Sequence, residues 1–130
     1  MKAKDIMTKN VYTVMKDSSV FDAMILIIDK NIGGLPVVNE DKELVGMLSE
    51  RDVLEILNKG FNDPSLQVGQ FATKTVVSFS PEEEVSSISE MFKRINFRMV
   101  PIVENKKLVG VIARKDIIRS ILNKAFDVEI

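Results

Sequence analysis

The 130-residue chain has no cysteine, no histidine and no tryptophan. Without cysteine there is no disulfide and no thiolate-held metal, a composition that suits a reducing compartment. Without histidine the chain lacks the commonest general base, the commonest metal ligand and the side chain that titrates near neutrality. Neither sign of charge is in excess: 18 Lys and Arg against 19 Asp and Glu leave a net charge of −1. No basic surplus therefore points to nucleic acid. Long apolar runs are missing too. The longest, residues 23–28, is far too short to span a bilayer. The start, Met1-Lys2-Ala3-Lys4-Asp5, leads into no apolar stretch of the kind that marks a signal peptide. The expectation is a soluble cytoplasmic protein with neither a nucleic-acid nor a membrane partner. At 45% hydrophobic and 28% charged residues, the balance is that of one globular domain or two small halves sharing a core.

What is present is a duplication. Laying Thr8 on Thr73 brings Val11 onto Val76, Asp17 onto Glu82, Asn31 onto Asn96 and Pro36-Val37-Val38 onto Pro101-Ile102-Val103. After a one-residue gap, Leu44-Val45-Gly46 meets Leu108-Val109-Gly110, and Asp52 meets Asp116. The expected division is a first repeat over 1–60, a connector over 61–67 and a second repeat over 68–130. The connecting stretch holds the loop formers Gly60, Asn62, Asp63, Pro64 and Ser65.

Each copy reads β-α-β-β-α, an α+β pattern. Short β-type segments at 11–14 and 76–79 come first. Helices follow, one starting near Asp17-Ser18. In the other, Ser80 is the expected N-cap, Pro81 the first helical residue, and Glu82-Glu83-Glu84 the acids of the first turn. Ile88, Met91, Phe92 and Ile95 mark its apolar stripe. The first helix is apolar around more of its girth, which calls for cover on a second side, from the core or from a second copy of the chain. Asn31 and Asn96 stand where these helices should stop in a left-handed cap. Strands at 35–38 and 100–103, polar turns at 39–43 and 104–107, and the Leu-Val-Gly strands then form antiparallel hairpins. Closing helices are expected over 50–58 and 114–123. One such unit is too small for a good core, so the two sheets are expected to pack on each other.

In both copies the Leu-Val-Gly strand runs into a helix N-terminus, where unpaired N–H groups favour a phosphate. The aspartate one turn in, Asp52 or Asp116, suits a ribose diol. In copy one, Ser49 and Asp52 also read as a reciprocal capping box. In copy two Ala113 replaces the serine while Asp116 stays, which leaves only the mild dipole preference for an acid as the rival explanation. Gly33-Gly34 reads as a turn or as a place where the backbone could approach a bound nucleotide closely. Arg98, at the position of Gly33 in copy two, reads as an exposed side chain or as a fork for phosphates. No phosphate-loop or dinucleotide fingerprint is present.

The order and the residues resemble a tandem pair of CBS domains, the modules first named from cystathionine β-synthase. The resemblance rests on Asp5-Ile6-Met7-Thr8, Gly34-Leu35-Pro36-Val37-Val38, and Leu44-Val45-Gly46 followed by Ser49-x-x-Asp52. In copy two it rests on Val100-Pro101-Ile102-Val103 and Leu108-Val109-Gly110 followed by Lys115-Asp116. It implies two repeats about a pseudo-two-fold axis and no enzymatic activity. It implies a regulatory module for AMP, ADP, ATP or S-adenosylmethionine, bound in two clefts with no required cofactor. It implies that the Asp takes the ribose hydroxyls and Ser49 the phosphate. Ala113 departs from the pattern and puts phosphate binding at its site in doubt, unless Arg114 or Lys115 compensates; the alternative is a site that prefers a nucleoside-like ligand. On the same grounds Asp52, with Arg51, would work with Gln70 and Thr75, and Asp116 with Asp5, Asn10 and Gly33. Met47 and Val111 would line adenine pockets, although core packing explains them equally well. A homodimer and an effector protein are implied partners. The rival readings are a structural homodimerisation module with degenerate sites and, against the missing histidine and cysteine, a small nucleotide hydrolase.

Overall fold

The computed structural model describes residues 1–59 and 62–130. Gly60, expected as a loop former, and the repeat boundary at 60/61 lie outside the described residues. In chain order the elements are α1 (Ala3–Ile6), α2 (Val20–Asp29), β1 (Gly34–Val38), β2 (Leu44–Ser49), α3 (Glu50–Leu54), α4 (Ile56–Lys59), a 3₁₀ turn (Val68–Gln70), α5 (Val85–Arg94), β3 (Met99–Glu104), β4 (Lys107–Ala113) and α6 (Arg114–Ala125). The fold is α+β, with two small antiparallel sheets.

The chain forms two compact units, each built from parts of both repeats. One is Tyr12–Val76; the other joins Met1–Val11 to Val77–Ile130. Each copy's leading segment thus packs with the other copy's hairpin. The reason is burial of two small apolar anchors. Ala3 is fully buried among Ile88, Val100 and Ile112, and its N–H donates to Glu83 O at 2.8 Å. Val68 is fully buried among Val20, Leu35 and Leu48, and its N–H donates to Ser18 O at 2.9 Å.

The two hairpins share a register. β1 pairs with β2 through Gly34↔Ser49 and Val37↔Gly46; β3 pairs with β4 through Met99↔Ala113 and Ile102↔Gly110. Both carry an irregularity at the same place, Val37/Val38 and Ile102/Val103. The β3–β4 turn is tight, with Asn105 and Lys106 both left-handed at φ 52° and 68°, as a two-residue hairpin requires. The β-type segments expected at 11–14 and 76–79 shrink to single parallel bridges, Val14↔Val37 and Phe79↔Ile102. At the opposite edges Thr73 bridges Met47 and Thr8 bridges Val111.

That last pairing explains the glycine in each Leu-Val-Gly run. A Cβ on Gly46 would lie 3.0 Å from Thr73 O, and one on Gly110 would lie 2.7 Å from Met7 Sδ and 3.0 Å from Thr8 O. The bare backbone lets each leading segment close against the strand edge.

Helix starts differ from expectation where backbone groups have better partners. α2 begins at Val20 with Ser19 as N-cap, because the Ser18 hydroxyl accepts from Met15 N instead. α5 begins at Val85, not Pro81. Ser80 and Pro81 form a turn in which Ser80 Oγ accepts from Glu82 N, and the Pro81 and Glu83 carbonyls accept from Lys4 N and Ala3 N. Glu82 and Glu83 are therefore not first-turn acids. The turn is held open to cap α1. Asn31 ends α2 left-handed at φ 51°. Asn96 does not do the same for α5, which ends on extended Ile95. Of the expected α5 stripe, Ile88, Met91 and Phe92 are buried and Ile95 is exposed. On α2, Val20, Ala23 and Ile27 are buried, whereas Phe21, Ile25 and Ile28 are 60%, 51% and 80% exposed.

Glu82 also anchors the leading segment, accepting from Lys2 Nζ at 2.8 Å and Lys4 Nζ at 2.9 Å. These two bonds hold its carboxyl down from 4.5 to about 2. A carboxylate whose folded pKa is depressed contributes stability above its unfolded value and loses it as pH falls through the folded one. The stability difference between wild type and Glu82→Gln is therefore expected to hold above pH 4.5 and to vanish toward about pH 2, read by urea midpoints across that window. A difference independent of pH would count against the clamp.

Candidate functional site

The two strand–helix junctions are built alike. In copy one, Ser49 ends β2 and caps α3. Ser49 N donates to Asp52 Oδ2 at 2.9 Å, and Asp52 N donates to Ser49 Oγ at 3.1 Å, so the capping box is formed. The first helical N–H, that of Glu50, donates to Gly33 O at 3.2 Å. Gly34 lies flat on β2, since a Cβ there would meet Leu48 O at 2.7 Å. Thr73 completes the junction. Its backbone exchanges two 2.9 Å bonds with Met47, and its hydroxyl donates to Asp52 at 3.2 Å.

In copy two, Ala113 caps α6 without a side-chain acceptor, yet its N–H still donates to Asp116 Oδ2 at 2.8 Å. Half of the box survives. Thr8 and Val111 repeat the Thr73–Met47 pairing, with bonds of 2.9 and 3.0 Å. Asp116 Oδ1 is met by Arg119 Nη1 at 3.1 Å, and the carboxylate side chain is only 14% exposed. Arg114 Nη2 donates to Asn96 Oδ1 at 3.4 Å, and the guanidinium sits 5.8 Å from the centre of the Phe92 ring.

Of the expected site residues, Ser49, Asp52, Met47, Gly33 and Gly34 come together in the unit Tyr12–Val76. Arg51 is exposed in the first turn of α3, and Lys115 holds the same place on α6. Gln70 and Thr75 share the first unit, but the residue that reaches Asp52 is Thr73. Gln70 Oε1 accepts from Gln67 N at 2.6 Å, within the 3₁₀ turn, and Thr75 is exposed. In the other unit, Asp116, Lys115, Val111 and Arg98 lie on the hairpin and its flanks, and Asn10 is exposed. Asp5 is engaged at α1, where Lys2 N donates to its Oδ2 at 2.8 Å and holds its carboxyl below the usual range. Val111 is buried and Met47 half-buried. Sequence reasoning missed Thr73 and Arg119. The overlay of Thr8 on Thr73 was the available signal for the first, and an i, i+3 spacing from Asp116 for the second.

A carboxylate has about four acceptor positions. Asp52 uses some of them on Ser49 N and the Thr73 hydroxyl, and Asp116 on Ala113 N and Arg119. Among the described residues no helix is long and apolar enough to cross a membrane.

The sequence model of the CBS domain matches residues 3–59 and again 68–123. The chain is 32% identical over 114 residues to the CBS domain-containing protein YhcV of Bacillus subtilis, covering 88% of this chain and 81% of that one. Among solved structures it resembles the CBS domain pair of protein MJ0100 in complex with 5′-methylthioadenosine and S-adenosyl-L-methionine. The TM-score is 0.82 at 26% identity, over 95% of this chain and 98% of that one. It also resembles CBSX2 of Arabidopsis thaliana in complex with AMP, with a TM-score of 0.84 at 26% identity over 94% and 96% of the chains. The chain spans between 14% and 41% of the length of the first curated relatives it matches.

Proposed function

Because this chain belongs to the CBS domain family, we propose that it is a non-catalytic regulatory module: it binds adenosine-containing ligands at its two strand–helix junctions and passes their occupancy to a partner protein. The observation that carries this reading is the repeated placement of Asp52 and Asp116. Each is fixed by the N–H of its own cap residue, at 2.9 and 2.8 Å, beside the edge where Thr73 or Thr8 pairs. A preset carboxylate is suited to ribose hydroxyls, and the similar MJ0100 and CBSX2 structures hold adenosine compounds. Binding shifts a downstream partner only if the ligand favours one arrangement of the module over another. The module works in the cytoplasm as a homodimer. The exposed Phe21, Ile25 and Ile28 face of α2 supports self-association.

That same face also favours a second reading, a structural homodimerisation module with idle junctions. Ligand-dependent melting separates the two. A ligand of the native state at a hundred times its Kd adds about 2.7 kcal/mol of stability. The first reading expects AMP, ADP, ATP or S-adenosylmethionine to raise the melting temperature and to give saturable heat on titration. An unmoved melting point with all four supports the second.

A further inference from the structure

We infer that the copy-two junction, whose serine is lost, is the one that takes a phosphate-bearing adenosine ligand, while the copy-one junction, with its motif complete, favours ligands without phosphate. This deepens the adenosine reading above and rests on it.

The observation is an inversion of charge between equivalent positions. Around Asp52 the chain places Gly33, Glu50, Arg51 and Glu55; around Asp116 it places Arg98, Arg114, Lys115 and Arg119. At these positions, with the aspartate counted, copy one has three carboxylates and one cation. Copy two has four cations and one carboxylate. Two of these cations are held at the site by side-chain contacts. Arg119 lies on Asp116 at 3.1 Å, and Arg114 is kept over Phe92 and against Asn96. The pairing Met99↔Ala113 sets Arg98 across from Arg114 at the strand ends.

Each phosphate added to an adenosine brings negative charge. At copy two it meets guanidinium groups, whose planar forks suit phosphate oxygens. At copy one it meets Glu50, Asp52 and Glu55. The Ser49 hydroxyl supplies one neutral donor there, which is weaker than a charged one. Loss of the hydroxyl at Ala113 is thereby more than offset. Charges within a Debye length of about 8 Å at physiological salt act together, so the clusters count as wholes.

The test is calorimetric titration of the full chain with adenosine, AMP and ATP, with sites assigned through Asp52→Ala and Asp116→Ala. The component lost in Asp116→Ala is expected to tighten from adenosine to AMP to ATP, and to lose that order as salt rises. The component lost in Asp52→Ala is expected to weaken along the same series. Installing the copy-one residue at the first helical position, Arg114→Glu, is expected to weaken ATP by about 10-fold at copy two and adenosine by about twofold or less. Should that variant fail to fold, Lys115→Gln, on an exposed side chain, is expected to weaken ATP and spare adenosine. Adenosine and ATP binding equally at copy two, or ATP preferring copy one, overturns the inference and leaves the adenosine reading standing. No binding of adenosine, AMP or ATP at either junction overturns the inference, and the failure of ADP and S-adenosylmethionine as well overturns the adenosine reading.

Discussion

Asp52→Ala is expected to weaken binding of an adenosine ligand at the copy-one junction by about 1.5–3 kcal/mol, the scale of hydrogen bonds to a charged acceptor. The same substitution removes a structural role. Ser49 N loses its 2.9 Å partner and the Thr73 hydroxyl loses its 3.2 Å one. α3 is only five residues long and depends on its cap. Loss of such a cap costs about 0.5–2 kcal/mol. A drop in affinity alone would therefore not separate ligand contact from a loosened helix. Asp52→Asn separates them. Its amide oxygen still accepts from Ser49 N, so the melting point should stay closer to wild type, while the lost charge and the new donor weaken the grip on a diol. Titration and melting of both variants decide the matter. If Asp52→Asn binds AMP as wild type does, at a junction that Asp52→Ala shows to be occupied, the carboxylate is a cap and not a ligand contact.

The parts of this fold legible in the sequence were those set by local pattern repeated twice. The Leu-Val-Gly strands, the hairpins and the second closing helix lie where apolar periodicity and polar turns put them, whereas the helix expected over 50–58 is broken at Glu55 into α3 and α4. The Ser49–Asp52 capping box was legible because both partners sit within one helical turn. What the sequence did not reveal depends on partners far along the chain. Ser80-Pro81-Glu82-Glu83 has every local mark of a helix start, yet its carbonyls are taken by Lys4 N and Ala3 N, and a turn wins. Asn96 has the residue type of a left-handed cap, but its side chain accepts from Arg114. Thr73 reaches Asp52 only because Gly46 admits its backbone to the edge of β2, and that closeness is invisible until the strand has a neighbour. The same applies to Ala3, an alanine in a lysine-flanked start that no periodicity marks as core.

Ala3→Asp is accordingly expected to destabilise the unit formed by Met1–Val11 and Val77–Ile130 by about 3–5 kcal/mol, the cost of an unpaired charge in an apolar interior. Ala3 is fully buried and packs with Val85, Ile88, Val100 and Ile112. An acid in the first turn of α1 would gain from the dipole, but that gain is at most about 1 kcal/mol at an ordinary site and less on a four-residue helix. The burial term decides the sign. Lys9→Asp is the control, because it puts the same acid on an exposed position of the same segment. A surface change of that kind is expected to stay within about 0.5 kcal/mol. Urea melts give the magnitudes, and amide exchange at Ile88, Val100 and Ile112 shows whether the loss is felt in that core. Were Ala3→Asp no worse than Lys9→Asp, the leading segment would be an attachment to the unit and not part of its core. Val68 would then be the only buried anchor among the two leading segments, and the exchange of segments between the copies would hold in one direction alone.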